Sequence, residues 1–146
     1  MSKGNTFENE LLLHIFNNAD IANIGDATGL RGSSTAGNLY VSLHTANPDE
    51  SGSQTTSECA YGSYARVAVA RTVGGWTVSG NAVSNAALIQ FPQCTSGSEV
   101  VTHFAVGTAA SSTGKILYKG ALSSSLAVSS GIQPQFAAGD LDITED

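Results

Sequence analysis

The stretch NLYVSLHTANPDESG, residues 38–52, alternates and then turns. Leu39, Val41 and Leu43 fall on one side of an extended chain and Tyr40, Ser42 and His44 on the other, because successive strand side chains point to opposite faces. Asn47, Pro48 and Asp49 then supply turn dihedrals. An acid/base or metal site around His44, Asp49 and Glu50 is the competing reading. Metal sites of recognisable type need several ligands at set spacing, and the chain contains no HxH, HExxH or DxDxDG pattern. His44 is therefore expected at a strand end, solvated or against a partner, with the apolar stripe facing a core.

The two-residue period continues outward from there. In SYARVAVAR, Ala65, Val67 and Val69 oppose Tyr64, Arg66 and Ala68; in NAALIQF, Ala87, Ile89 and Phe91 line up. In VVTHFAVGT, Val100, Phe104 and Val106 share a face, with His103 beside Val101 and Ala105 on the other. KILYKGAL is apolar on both faces and is left unassigned, while IQPQF and LDIT close the chain with Leu141 and Ile143 inward. NPDESGSQ, VGG, SGN, CTSGS and ASSTG separate these runs with turn chemistry. About eight short strands at this spacing predict an all-β sandwich or barrel.

The N-terminal part reads differently. NTFENELLLHIFNNAD, from Asn5, places Glu8 three residues after Asn5 as in a capping box, and Phe7, Leu11, Leu12, Ile15 and Phe16 recur at helical spacing. Asn17 and Asn18 are expected to stop this short helix. Residues 21–37, IANIGDATGLRGSSTAG, are rich in glycine without periodicity and read as a loop or extended arm. The division predicted is a helix and glycine-rich arm over 1–36 and a β-sandwich domain over 37–146.

Composition narrows the function. The chain has 146 residues, enough for one domain with a real core. Charged residues make up 12% of it, about half the ~25% of an ordinary soluble domain. The net charge is −6 with six Lys and Arg thinly spread, so no basic stripe exists to neutralise phosphates and no nucleic-acid partner is expected. The longest N-terminal apolar run, LLLHIF, is far short of the ~20 residues of a membrane span, and nothing resembles a signal peptide. No membrane partner is expected, and folding in a cytoplasm is. Cys59 and Cys94 are isolated and read as two free thiols. No serine lies in GxSxG and no glycine run is a phosphate loop, so no catalytic residue, cofactor or metal is assigned. No charged residue occurs from Thr72 to Ser98 or from Gly120 to Gly139. Exposed strands of soluble monomers ordinarily carry charge against sheet-to-sheet association, so these tracts point to an assembly subunit.

NELLLHIF, LYVSLHTANPDESGSQTTSE, YGSYARVAV, NAALIQFP, VTHFAVGTAASSTGKILYKGAL and FAAGDLDIT together resemble small virion proteins of tailed bacteriophages, some tail-fibre-like and others capsid cement or decoration proteins. The resemblance implies a jelly-roll-like β-sandwich and a non-enzymatic role in the virion. On this reading the first expectation is a capsid cement protein that bridges major capsid protein subunits on the phage head, pairing there as a homo-oligomeric dimer. A tail fibre or baseplate component contacting the host surface is the alternative. A carbohydrate-binding module, with Trp76 and Tyr61 or Tyr64 as stacking platforms, is a third reading. Interface contacts are expected from Phe7, Leu11, Ile15 and Phe16 on the helix, Leu30 and Arg31 in the arm, and Trp76, since aromatic residues and Arg anchor interfaces.

Overall fold

The computed structural model of the chain describes residues 2–25 and 29–146. Its elements in chain order are α1 (Asn5–Asn17), β1 (Asn38–His44), β2 (Val67–Ala70), β3 (Trp76–Ser79), β4 (Ala82–Asn85), β5 (Ile89–Gln90), β6 (Ser98–Gly107), β7 (Ile116–Ser129), β8 (Gln135–Phe136) and β9 (Asp142–Thr144). They form sheets of order β2-β1-β6-β7, β3-β4-β9 and β5-β8. The molecule is of the predicted class, mostly β and sandwich-like with one short N-terminal helix. It divides into two compact units: residues 1–38, 70–88 and 136–146 form one, and residues 39–69 and 89–135 the other. This partition follows packing, whereas the division at residue 36 follows composition and periodicity.

In the first unit, α1 packs on β3 and β4. The buried stripe of the helix is Glu8, Leu12 and Phe16, one residue every turn. The helix is bounded by backbone rather than by the predicted capping box. Gly4 is the N-cap and no side chain caps it, so Asn5 is the first helical residue. Asn18 closes the other end as expected, with φ 57° and its N–H bonded to Leu13 O. β3 and β4 are a hairpin pairing Trp76 with Asn85 and Ser79 with Ala82. Gly80, at φ 60°, occupies the first position of its two-residue loop, where a type II′ turn needs glycine. β9 adds to β4 and turns Leu141 and Ile143 inward. Trp76, fully enclosed, meets Phe16 edge-on at a centroid distance of 4.8 Å.

The stretch expected as an extended arm instead closes on itself. Ile21 and Leu30 exchange both backbone hydrogen bonds at 2.8 Å. Asp20 accepts from Gly32 N–H at 2.7 Å and from Arg31 at 2.6 Å, which together hold its carboxyl below the usual range. Asn18 ties to Ser33 through both its amide groups. The part of the predicted arm at Asp26, Ala27 and Thr28 lies outside the described residues.

In the second unit, β6 runs between β1 and β7. β1 pairs with it from Tyr40↔Gly107 to His44↔His103. β6 and β7 pair from Ser98↔Ser129 to Val101↔Leu126 and again from His103↔Ala121. Thr102 alone therefore faces Leu122–Ser125, a bulge in β7 that shifts the register. Burial along β6 departs from the predicted single apolar face: Val101 is buried and Val100 is half exposed, while Phe104, Ala105 and Val106 are all buried. Gln54 fills the space beside Gly107 and Gly114. Its Nε2 donates to Tyr40 O at 3.1 Å, and its Oε1 accepts from Ala109 N–H at 3.0 Å. A Cβ at Gly107 would lie 2.2 Å from Gln54 Cδ, so glycine is required for that close approach.

Candidate functional site

A connected group of polar side chains lies where β1 ends, within the second unit. His44 is not solvated, contrary to the sequence reading: it is 0% exposed, as is Ser42. Its Nδ1 lies 2.9 Å from Thr56 O, and its Nε2 lies 2.9 Å from Ser42 Oγ. A carbonyl only accepts, so Nδ1 carries the proton and Nε2 accepts from the serine hydroxyl. The reason for the burial is distant pairing. Thr45 N–H donates to Ser57 O at 2.8 Å and Cys59 N–H to Leu43 O at 2.9 Å, which lays residues 56–59 over the end of β1. A serine and a histidine in contact have the makings of a nucleophile and base, yet here a backbone carbonyl stands where a triad would place a carboxylate. The pair fastens a loop.

Arg66 and Glu58 extend this group. Arg66 Nε and Nη2 engage the two Glu58 oxygens at 2.7 and 2.8 Å, a bidentate pair. The same guanidinium donates to Ala109 O at 2.9 Å and Ser112 O at 2.8 Å. The Tyr64 hydroxyl donates to Glu58 Oε1 and accepts from Leu43 N–H, each at 3.0 Å. Burial raises the Tyr64 phenol well above its ordinary value. Nearby, both Glu99 oxygens accept from Ala60 N–H, and one also accepts from Tyr61 N–H. Cys59 and Cys94 are free and buried, and burial first, with Glu99 second, pushes the Cys59 thiol up to about 12.

Burial of His44 opposes its protonation, so its folded pKa lies below the ordinary 6.5. Between those two values the unfolded chain holds a proton that the folded chain refuses, so stability rises with pH there. The contribution is complete above pH ~6.5 and is lost as the pH falls toward the folded pKa. Urea unfolding at pH 7.5 and 5.5 should therefore show a larger acid loss in the wild type than in His44→Gln. Equal losses would mean that the imidazole is protonated without penalty.

The residues expected to make interface contacts are scattered rather than gathered. Phe7 is 37% and Leu30 44% exposed, and Leu11 and Ile15 are half-buried. Phe7, Leu11 and Ile15 recur every fourth residue, making a helical stripe beside the buried one. Arg31 is exposed but engaged by Asp20. Phe16 and Trp76 are enclosed in the first unit and present no surface to a partner. The sugar-platform reading fails on the same ground, since Trp76 is 0% and Tyr61 3% exposed and Tyr64 stacks on Phe91.

Open clefts are present among the described residues. One of about 410 Å³ is lined by Asp49, Glu50 and Ile116–Lys119, and one of about 230 Å³ by Asn5, Glu8, Gly80 and Asn81. Among the described residues no three His, Cys, Asp or Glu side chains converge as a metal set would, and no helix is long and apolar enough to cross a membrane. What sequence reasoning passed over is the surface of β7. Its Ser-rich half follows the unassigned KILYKGAL run, and the only signal for it was the absence of charge from Gly120 onward. Ala121 and Ser123–Ala127 are exposed along this strand, and Val100 beside them on β6 is half exposed.

No curated protein matches the chain. A family model described as podophage GP4 fiber I protein gp80 matches residues 2–144. That span takes in every strand and the helix, so the chain belongs to the podophage GP4 fiber I protein gp80 family and is a structural protein of a tailed phage.

Proposed function

We propose that the chain is a tail fibre or baseplate component that acts by contacting the host surface and its fellow virion proteins, without transforming a molecule. The observation that carries this reading is the family match over residues 2–144, whose description is of a fibre. The cement expectation rested on the neutral tracts and on resemblance to small virion proteins, and both fit a tail position equally well. The fibre description favours the tail. The polar groups at the end of β1 agree with a holding role, because their hydrogen bonds are spent inside the chain.

Location in the particle tests it. Antibody-gold labelling of intact virions, with separate blotting of purified heads and tails, should place the protein on the tail. Label over the head and signal only in the head fraction would return the assignment to a cement protein bound to the major capsid protein.

A further inference from the structure

The sheet β2-β1-β6-β7 has two edges that differ in kind. β2 has four residues, Val67–Ala70, and is bounded by Arg66 and Arg71. Shortness and flanking charge are the ordinary protections of an edge. β7 has 14 residues and carries no charge and no proline from Gly120 to its end at Ser129. Its bulge at Leu122–Ser125 interrupts the ladder, but the stretch Leu126–Ser129 is regularly paired to β6 on one side and, among the described residues, has no strand on the other. The backbone N–H and C=O groups on an open edge are a template for another strand.

We infer that the open edge of β7 over Leu126–Ser129 pairs antiparallel with the same edge of a second copy of the chain. The occupant follows from charge. A chain of net charge −6 repels its own copies. Of its charge-free tracts, the one over Gly120–Gly139 holds the long open edge, whereas the edge strand β3, in the tract Thr72–Ser98, has four residues. A two-fold axis sets the edge against itself, so any charge on it would meet its like; none is there. The nearest carboxylate on β6, Glu99, is taken up by the Ala60 and Tyr61 N–H groups. Lys119, the nearest cation on β7, is bonded to Asn47 at 3.2 Å. Apolar surface lies alongside: Val100, which faces Ala127, is 50% exposed, Leu126 36% and Ile132 40%. Pairing two edges would cover these side chains as well as join the backbones. The surface does not depend on where in the virion the protein sits.

The full chain in solution supplies the test. Light scattering coupled to size exclusion should give twice the 14.9 kDa chain mass at micromolar concentration. Leu126→Lys/Ala127→Lys, one charge on each face of the edge, should return the mass to that of one chain while thermal unfolding remains cooperative. Val73→Lys, at a position 78% exposed in the other unit, should leave the dimer intact. Ala127→Cys should form a disulfide-linked dimer on oxidation, since Cys59 and Cys94 are buried, and Val73→Cys should not. A wild-type chain that is monomeric throughout overturns the inference. So does an oligomer that survives the two lysines, or one whose Ala127→Cys copies fail to cross-link.

Discussion

Trp76→Ala should be the most damaging single substitution in the first unit, lowering stability by about 3–5 kcal/mol. The indole is 0% exposed and is the largest fully buried side chain, and it touches Phe16 across the interface of α1 with β3. Removing it leaves a cavity between helix and hairpin that only a shift of α1 could fill, and the helix is tied at both ends. Lys3 bridges to Glu145 at 2.8 Å, and Arg71 donates to the carbonyls of His14 and Ile15 at 2.7 and 2.6 Å. Collapse is therefore limited and the cavity term remains. Against a total stability of about 5–15 kcal/mol for a domain, such a loss is a large fraction. Trp76→Phe should be milder, because the Trp76 Nε1 proton is buried without a hydrogen-bond partner among the described residues and phenylalanine removes it. Denaturant titration ranks the three proteins. An alanine variant as stable as the phenylalanine variant would mean that the helix follows the lost volume.

Glu58→Ala should cost a similar amount, about 3–5 kcal/mol, for an electrostatic reason. The Arg66 side chain is 3% exposed and that of Glu58 15%, so solvent screens the pair little. With the carboxylate gone, the guanidinium stays enclosed with only the Ala109 and Ser112 carbonyls to receive its protons, and Tyr64 loses its acceptor. A charge left without its counterion in a dry site is far more costly than the pair was beneficial. The double variant Glu58→Met/Arg66→Met removes both charges and should be more stable than Glu58→Ala alone. Amide exchange should quicken at residues 108–113 in the double variant, because Arg66 no longer holds that loop. If the double variant is less stable than the single one, the loop contacts outweigh the charge effect.

The strands whose two faces differ in sequence were readable without the structure. Leu39, Val41 and Leu43 are inward as the alternation demands, and so are Leu141 and Ile143. Periodicity reports which residues share a face and says nothing about whether the opposite face is covered. His44 is buried by Thr56 and Ser57, which the turn NPDESG places a dozen residues downstream and which only the backbone pairing brings back. Val100 and Val101 lie on opposite faces as alternation demands, but Val101 is the buried one, because packing and not the period decides which face is covered. For α1, counting apolar residues picked the helix but not its buried side. Glu8 takes a place on it while Phe7 stands out, since the approach of β3 and β4 sets the facing stripe. Trp76 read as an anchor for a partner because its own cover, Phe16, lies far away in the chain.

The first unit is assembled from three stretches of chain, residues 1–38, 70–88 and 136–146. A ribosome delivers them in that order at ~5–20 residues per second, so roughly ten seconds separate the emergence of α1 from that of β9. Throughout that interval Leu12 and Phe16 lack the completed sheet that will shelter them, and the unit stays open at the β4 edge that β9 will cover. The nascent chain therefore offers a greasy helix to chaperones for as long as the last strand is missing.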